Sequence, residues 1–270
     1  MPTANVNGQE LHHLQRGEGE PLLLIQGMSG THLSWGDEFL DLLARDFAVT
    51  YYDNRGMGES SRVEDPFTIV DLADDAAGLL DALGIERAHV LGVSMGGMIA
   101  QQLALRHPER ILTLTLGCTY PGGPGSELTP PENGRRLLDA WTSGDRERAV
   151  RTGWEINVSP AFAADDDKYA RFREAVLGAK AALSVIRLQA QAVGGHDVLD
   201  RLGELEMPTL VIHGDLDGML PVTNGRLIAS RIPGARLEVM EGVGHLFWIE
   251  QPERSAALVA EHARAAAAAG

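Results

Sequence analysis

Short apolar runs recur along the chain, and each is followed by a segment with helical periodicity or by a glycine-containing turn. The runs are continuous rather than alternating, which is typical of strands buried on both faces of a parallel sheet. An Asn-Gly pair at positions 7 and 8 predicts a hairpin between two short N-terminal strands. The apolar runs predict further strands at residues 21–25, 47–52, 89–93, 111–116, 209–213 and 237–240. Helical periodicity predicts helices at residues 36–45, 68–83, 95–106, 223–230 and 251–268.

Residues 120–205 interrupt this alternation, because no convincing strand occurs in them. They contain helix-like segments near residues 135–142, 146–154, 167–177 and 179–191. The strand–helix alternation on either side implies a mostly parallel, doubly wound sheet with helices on both faces. We therefore predict an α/β core formed by residues 1–119 and 206–270, with residues 120–205 as a helical insertion over one edge of the sheet.

The composition and charge of the chain narrow the function classes. The 270 residues are 44% hydrophobic, enough for a full core, and carry a net charge of −15. A chain this acidic is a poor partner for nucleic acid phosphates or for an anionic membrane surface, so we expect neither. Cys118 is the single cysteine, which excludes an internal disulfide. The polar start MPTANVNGQELHHLQRG lacks the apolar region of a signal peptide and no run is long enough to span a bilayer, so we expect a cytoplasmic location.

A serine stands at the junction between a predicted strand and a predicted helix. In the segment HVLGVSMGGM, Ser94 has Gly92 and Gly96 two positions to either side. This G-x-S-x-G spacing is that of a nucleophile elbow, in which a strained turn exposes the serine hydroxyl at the start of a helix. Side chains two positions away would collide in so sharp a turn, so glycine is needed at both. Helix amides at this point favour developing negative charge, which makes Ser94 a candidate nucleophile.

His245 is the candidate base for this serine. It follows the last predicted strand on a glycine-flanked loop, at the edge of the sheet where sites of open parallel sheets form. His12 and His13 fall in the N-terminal hairpin. His107 and His262 fall at helical positions where we expect surface side chains.

The segment HGDLDGMLP offers two carboxylates that could orient the base. Asp217 lies further into the loop and can reach toward His245, whereas we expect Asp215 to cap the turn. A metal site formed by His213, Asp215 and Asp217 is the weaker interpretation of the same segment, because no second ligand cluster supports it.

Five motifs occur in a fixed order along the chain: IQGM at residues 25–28, DNRGMGES at 53–60, GVSMG at 92–96, GDLD at 214–217 and GH at 244–245. In these motifs the chain resembles the α/β-hydrolase fold superfamily over nearly its whole length. They resemble, in turn, its oxyanion loop, its D-x-R-G-x-G-x-S turn, and its nucleophile, acid and base loops. The resemblance implies a catalytic triad of Ser94, Asp217 and His245.

The resemblance also implies that the backbone N–H groups of Met28 and Met95 form the oxyanion hole. Gln26 departs from the pattern, since many members carry histidine there, but the oxyanion donors are backbone groups that this change need not disturb. We expect Asp53 and Arg55 of the second motif to have an architectural role.

The helical insertion resembles the cap domain of this family, which roofs the active site. Candidate pocket residues lie in or beside the catalytic loops and in the cap: Gln26, Trp35, Trp154, Leu246 and Phe247. The methionines at positions 28 and 95 add apolar walls, which suits a small or medium acyl group without a fixed charge.

The function predicted from these residues is hydrolysis of a carboxylic ester or lactone through an acyl-enzyme on Ser94. This is the chemistry of a carboxylesterase, methylesterase or lactonase, with no cofactor and no metal. Three alternatives use the same pocket: a cofactor-free haloperoxidase or perhydrolase, a carbon–carbon bond hydrolase, and a small-molecule receptor. The expected partner is a small-molecule substrate, and a homo-oligomer is compatible with the sequence.

Overall fold

The apolar runs form the strands of an eight-stranded sheet in the computed structural model, which describes residues 2–269. The strands are β1 (Thr3–Val6), β2 (Gln9–Arg16), β3 (Glu20–Ile25), β4 (Phe47–Tyr52), β5 (Ala88–Val93), β6 (Ile111–Gly117), β7 (Thr209–Gly214) and β8 (Arg236–Met240). Their order across the sheet is β1-β2-β4-β3-β5-β6-β7-β8. The pairs β1/β2 and β2/β4 are antiparallel, and all other neighbours are parallel. The predicted mostly parallel sheet is therefore confirmed.

Helices cover both faces of this sheet, as predicted. The α-helices are α1 (Asp37–Leu43), α2 (Ile69–Ala82), α3 (Met95–Arg106), α4 (Pro131–Thr142), α5 (Arg146–Asn157), α6 (Pro160–Ala163), α7 (Asp166–Gly178), α8 (Leu183–Gly194), α9 (Val222–Arg231), α10 (Phe247–Glu250) and α11 (Pro252–Ala269). One core cluster joins the sheet to α2, α3 and α9, and another joins it to α1 and α11. Strands β5 and β7 are buried at every position, which fits their continuous apolar sequence. Within residues 2–269, no helix has both the length and the apolar character that crossing a membrane requires.

The insertion between β6 and β7 contains α4 to α8, and its two ends meet. The Val198 N–H donates a hydrogen bond of 2.9 Å to the Pro121 carbonyl. The residues that follow return to the main core, where Leu199, Leu202 and Leu205 pack beside α2 and α3. The core and cap bounds given by the sequence stay a proposal, and this packing favours an end to the cap near residue 198 rather than 205.

Candidate active site

Ser94 occupies a strained backbone conformation between β5 and α3. Its φ of 56° and ψ of −123° lie in a region that residues with a side chain rarely adopt. Hydrogen bonds on both sides hold this conformation: the Ser94 N–H donates to the Gly117 carbonyl at 2.9 Å, and the Ser94 carbonyl accepts from the Thr119 hydroxyl at 2.6 Å. The geometry is that of the sharp strand-to-helix turn that the sequence predicts.

The two glycines of the elbow are required by close approach. A Cβ atom on Gly92 would lie 2.2 Å from the Gly96 carbonyl oxygen, and one on Gly96 would lie 2.0 Å from the Ile25 carbonyl oxygen. Both distances are far inside van der Waals contact, so any larger residue would displace the backbone. The predicted collision is confirmed, and at Gly96 the obstacle is the neighbouring strand β3.

Asp217 and His245 form a buried pair. The His245 Nδ1 atom lies 2.7 Å from Asp217 Oδ2, while the N–H groups of Met219 and Leu220 donate to Asp217 Oδ1 at 2.8 and 2.9 Å. Burial alone would raise the pKa of Asp217, but the charge of His245 and the hydrogen bonds to this carboxylate outweigh burial and hold it well below its usual range. The carboxylate is therefore ionised at neutral pH and fixes the orientation of the His245 ring.

Asp217 has a second histidine neighbour, which the sequence analysis did not anticipate in this role. The Nε2 atom of His213 lies 2.8 Å from the Leu220 carbonyl oxygen and 3.2 Å from Asp217 Oδ2. The carbonyl can only accept, so Nε2 carries the proton, and the same N–H faces the carboxylate. Asp215 turns away instead and accepts a hydrogen bond from the Gly242 N–H at 2.7 Å. These contacts support Asp217, not Asp215, as the partner of the base.

The end of β6 lies between the Ser94 elbow and the Asp217–His245 pair. One side-chain ligand atom each of Cys118, Asp217 and His245 lies within 4.8 Å of the other two. Burial and the nearby Asp217 charge raise the pKa of the Cys118 thiol well above its usual value, so the thiol stays protonated. Among the described residues the Ser94 hydroxyl has no hydrogen bond to His245, a contact that often tightens only when substrate binds. The joint action of Ser94 and His245 therefore stays a prediction.

The loop after β3 lies directly against the serine. A Cβ atom on Gly27 would lie 2.9 Å from Ser94 Cβ and 3.4 Å from Ser94 Oγ. The Gly27 N–H donates to the Gln26 side-chain oxygen at 2.8 Å, so the residue that departs from the family pattern shapes this loop. Met28 follows Gly27, and Met95 is the first residue of α3, where N–H groups have no partner within the helix. Their role as oxyanion donors stays a prediction that this placement supports.

The candidate pocket residues differ in their surroundings. Trp35 and Phe247 are fully buried in the core cluster beside α1 and α11. Trp154 is fully buried in the cap, where it packs with Phe162 and Phe172 and donates its Nε1–H to the Ala163 carbonyl at 3.2 Å. These three tryptophan and phenylalanine side chains thus have packing roles, and their contact with substrate stays a prediction.

Gln26 is also buried, whereas Leu246 is partly exposed. Leu246 packs against both the main core and the cap cluster. Of the candidate pocket residues in the described chain, Leu246 has the position best suited to meet a substrate under the cap.

Glu250 joins the base loop to the cap. One of its carboxylate oxygens accepts hydrogen bonds from the Gly244 N–H at 2.7 Å and the Ser159 N–H at 3.0 Å. The other accepts from the Ser159 hydroxyl at 2.5 Å. The Leu246 N–H also donates to the Asn157 carbonyl at 2.9 Å. The position of the cap is thereby coupled to the loop that carries His245.

The contacts of the DNRGMGES turn fit the architectural role expected for Asp53 and Arg55. Asp53 accepts hydrogen bonds from the N–H groups of His32 and Glu59 at 2.6 and 2.9 Å. Arg55 forms two hydrogen bonds to Asp75, at 2.6 and 2.7 Å.

One expectation about the histidines is wrong: His262 is buried, with Nε2 3.1 Å from the Pro208 carbonyl, because α11 turns that face toward the sheet.

Comparison with known proteins identifies the family and the fold. The family model described as alpha/beta hydrolase fold matches residues 20–252. Rhodomycin D methylesterase DnrP of Streptomyces peucetius is 32% identical, over 98% of this chain and 99% of the relative.

Two solved structures share the fold along almost the whole chain. The enol-lactonase from Burkholderia xenovorans LB400 has a TM-score of 0.84 and 28% identity, covering 97% of this chain and 99% of its own. Est816, described as an N-acyl homoserine lactone degrading enzyme, has a TM-score of 0.78 and 29% identity, covering 96% and 98%. The similarity thus extends through both the sheet and the inserted helices.

Proposed function

The chain belongs to the alpha/beta hydrolase fold family, and from that premise we propose that it hydrolyses carboxylic esters or lactones through an acyl-enzyme on Ser94. Its relatives include a methylesterase and lactone-degrading enzymes, so ester-bond hydrolysis is the chemistry they share. The observation that carries the serine mechanism is the buried Asp217–His245 pair at the same sheet edge as the strained Ser94 turn. The finer proposal is an ester or lactone with a small to medium apolar acyl group.

In the first half of the cycle, His245 accepts the Ser94 proton while Oγ forms a bond to the carbonyl carbon. The N–H groups of Met28 and Met95 stabilise the oxyanion, and Asp217 stabilises the cationic imidazole. The carbon–oxygen bond to the alcohol then breaks, and His245 gives the proton to the leaving oxygen.

In the second half, water loses a proton to His245 and attacks the acyl carbon. The bond to Ser94 Oγ breaks, Oγ recovers the proton and the acid leaves. Water is the only co-reactant that this cycle needs.

The test is turnover of p-nitrophenyl esters, from acetate to long acyl chains, and of simple lactones, by wild type and Ser94→Ala. We expect Ser94→Ala to lose roughly 10³-fold or more in kcat, while Ser230→Ala, an exposed serine on α9, keeps wild-type rates. Labelling by a fluorophosphonate, located by mass spectrometry, should fall on the Ser94 peptide. Ester turnover that survives in Ser94→Ala would refute the mechanism.

Absence of ester and lactone turnover in the wild type would instead favour the alternatives. Peroxide-dependent halogenation identifies a perhydrolase, and cleavage of a dienol ketone identifies a carbon–carbon bond hydrolase. Tight ligand binding without turnover identifies a receptor.

A further inference from the structure

A cluster of histidine and carboxylate side chains lies outside the candidate active site. In the sheet it lies at β2 and β4, on the other side of β3 from the strands that precede Ser94, Asp217 and His245. It consists of His12 on β2, His32 in the 3-10 turn His32–Trp35, and Asp53 just after β4. One ligand atom from each lies within 4.8 Å of the other two. The strand ends are joined, since the Asp53 N–H donates to the His12 carbonyl at 2.9 Å. None of these side chains takes part in the proposed ester hydrolysis.

His12 is prepared as a nitrogen ligand. Its side chain is 1% exposed, and Nδ1 lies 3.0 Å from the Pro2 carbonyl, to which only a protonated nitrogen can donate. The neutral ring therefore carries its lone pair on Nε2, which is buried and has no hydrogen-bond partner among the described residues. A histidine whose other N–H donates to a backbone carbonyl is the usual second-shell arrangement of a metal ligand.

Asp53 and His32 complete the donor set. The Asp53 side chain is fully buried, and the hydrogen bonds that it accepts from the backbone N–H groups of His32 and Glu59 fix its orientation. Gly58 leaves it room, because a Cβ atom there would lie 2.1 Å from Asp53 Oδ2. The His32 Nδ1 atom lies 2.9 Å from Asp53 Oδ2. A proton can bridge these two atoms, and a metal ion can replace that proton. His32 is partly exposed, which gives an ion a route from solvent.

We propose that His12, His32 and Asp53 bind a divalent transition-metal ion of the zinc type. Two imidazole nitrogens and one carboxylate oxygen are ligands that Zn²⁺ accepts, with a fourth position left for water. Bound there, the ion links β2, the end of β4 and the loop after β3, which also carries Gly27 and Met28. Its effect is to stabilise the scaffold of the oxyanion loop.

The test is Zn²⁺ and Co²⁺ binding to the full chain after removal of metal with a chelator. Calorimetry should give one ion per chain, and Zn²⁺ should raise the melting temperature by a few degrees. His12→Gln and His32→Gln should each weaken binding at least tenfold, whereas His107→Gln should not. In the metal-free state, circular dichroism and melting temperature establish that each variant is folded.

The side chains of Cys118, Asp217 and His245 at the candidate active site also lie close enough together to bind an ion, and they provide the sharpest control. The proposal expects His245→Gln to bind Zn²⁺ as tightly as the wild type. Binding that disappears in His245→Gln but persists in His12→Gln would overturn it, as would the absence of stoichiometric binding. Independently of folding in any variant, nitrogen NMR of the wild type should show Zn²⁺-induced shifts at the ring nitrogens of His12 and His32, and unchanged shifts there would also overturn it.

Discussion

His213 lies 3.2 Å from Asp217 through its Nε2 atom and faces the same carboxylate oxygen that His245 contacts. One carboxylate thus contacts two imidazole rings. Of these, only His245 lies on the loop after the last strand, where we expect the catalytic base. His213 is fully buried and bonded to the Leu220 carbonyl, so its position is fixed by the loop that follows β7. We therefore expect His213 to act on the site through Asp217, as a positioning residue.

We predict that His213→Leu lowers kcat for an ester about tenfold, because Asp217 loses a contact that orients it toward His245 and a small misplacement of a catalytic group lowers the rate. KM should change less than twofold. His213→Gln should recover part of the loss, because its side-chain amide can donate to the same carboxylate. Equal losses of kcat in His213→Leu and His213→Gln would indicate a purely structural role.

Asp217→Asn should lower kcat by about 10³-fold or more, because the amide cannot stabilise the cationic ring and favours the wrong tautomer. Asp215→Asn is the matched control, since Asp215 contacts only the Gly242 N–H among the described side-chain hydrogen bonds. It should keep kcat within a few-fold of the wild type. The reverse pattern for the two variants would show that Asp215 is the catalytic acid partner.

Glu250→Ala should weaken the connection between the cap and the His245 loop. Three donors lose their acceptor, so the free energy of unfolding should fall by about 1–3 kcal/mol. Urea unfolding measures this loss, and KM for a long-chain ester should rise because the cap is no longer held in place. Glu253→Ala, at an exposed position on α11, should change neither quantity. Equal effects of the two variants would refute the coupling.

His196 should make the protein less stable in mild acid. Burial lowers the pKa of His196 to about 4, whereas an unfolded histidine titrates near 6.5. Between these two values the unfolded chain binds more protons, so the free energy of unfolding falls as pH falls, by about 3 kcal/mol from this residue. His196→Phe keeps a ring of similar size and should flatten the dependence between about pH 4 and 6.5. Denaturant unfolding across this range is the measurement, and an unchanged slope would contradict the prediction.

Local sequence patterns predict the strands and most helices, because burial on both faces leaves continuous apolar runs. The helices α6 and α10 have only four residues each, too few for any periodic signal, and the sequence analysis predicts neither. The elbow at Ser94 was predictable because its two glycines are imposed by steric contact within one short segment.

Contacts between distant segments are the part that the sequence conceals. Cys118 follows β6, which pairs with β7, and that register is a signal that could have placed Cys118 near Asp217. The face on which His262 lies depends on how α11 rotates against the sheet, which its alanine-rich sequence leaves weakly specified. The proximity of His12 and Asp53 is also a contact between distant segments. It follows from the antiparallel pairing of β2 with β4.

The hydrogen bond between Val198 and Pro121 brings the two ends of the inserted segment together, so the chain leaves the core and returns to it at one place. Everything that the proposed reaction needs is encoded before position 121 or after position 198. Changes in the coding sequence for residues 121–198 can therefore alter which substrates bind without changing the residues of the proposed triad. We therefore expect sequence changes within the insertion to alter substrate selectivity while the segments that carry Ser94, Asp217 and His245 stay the same.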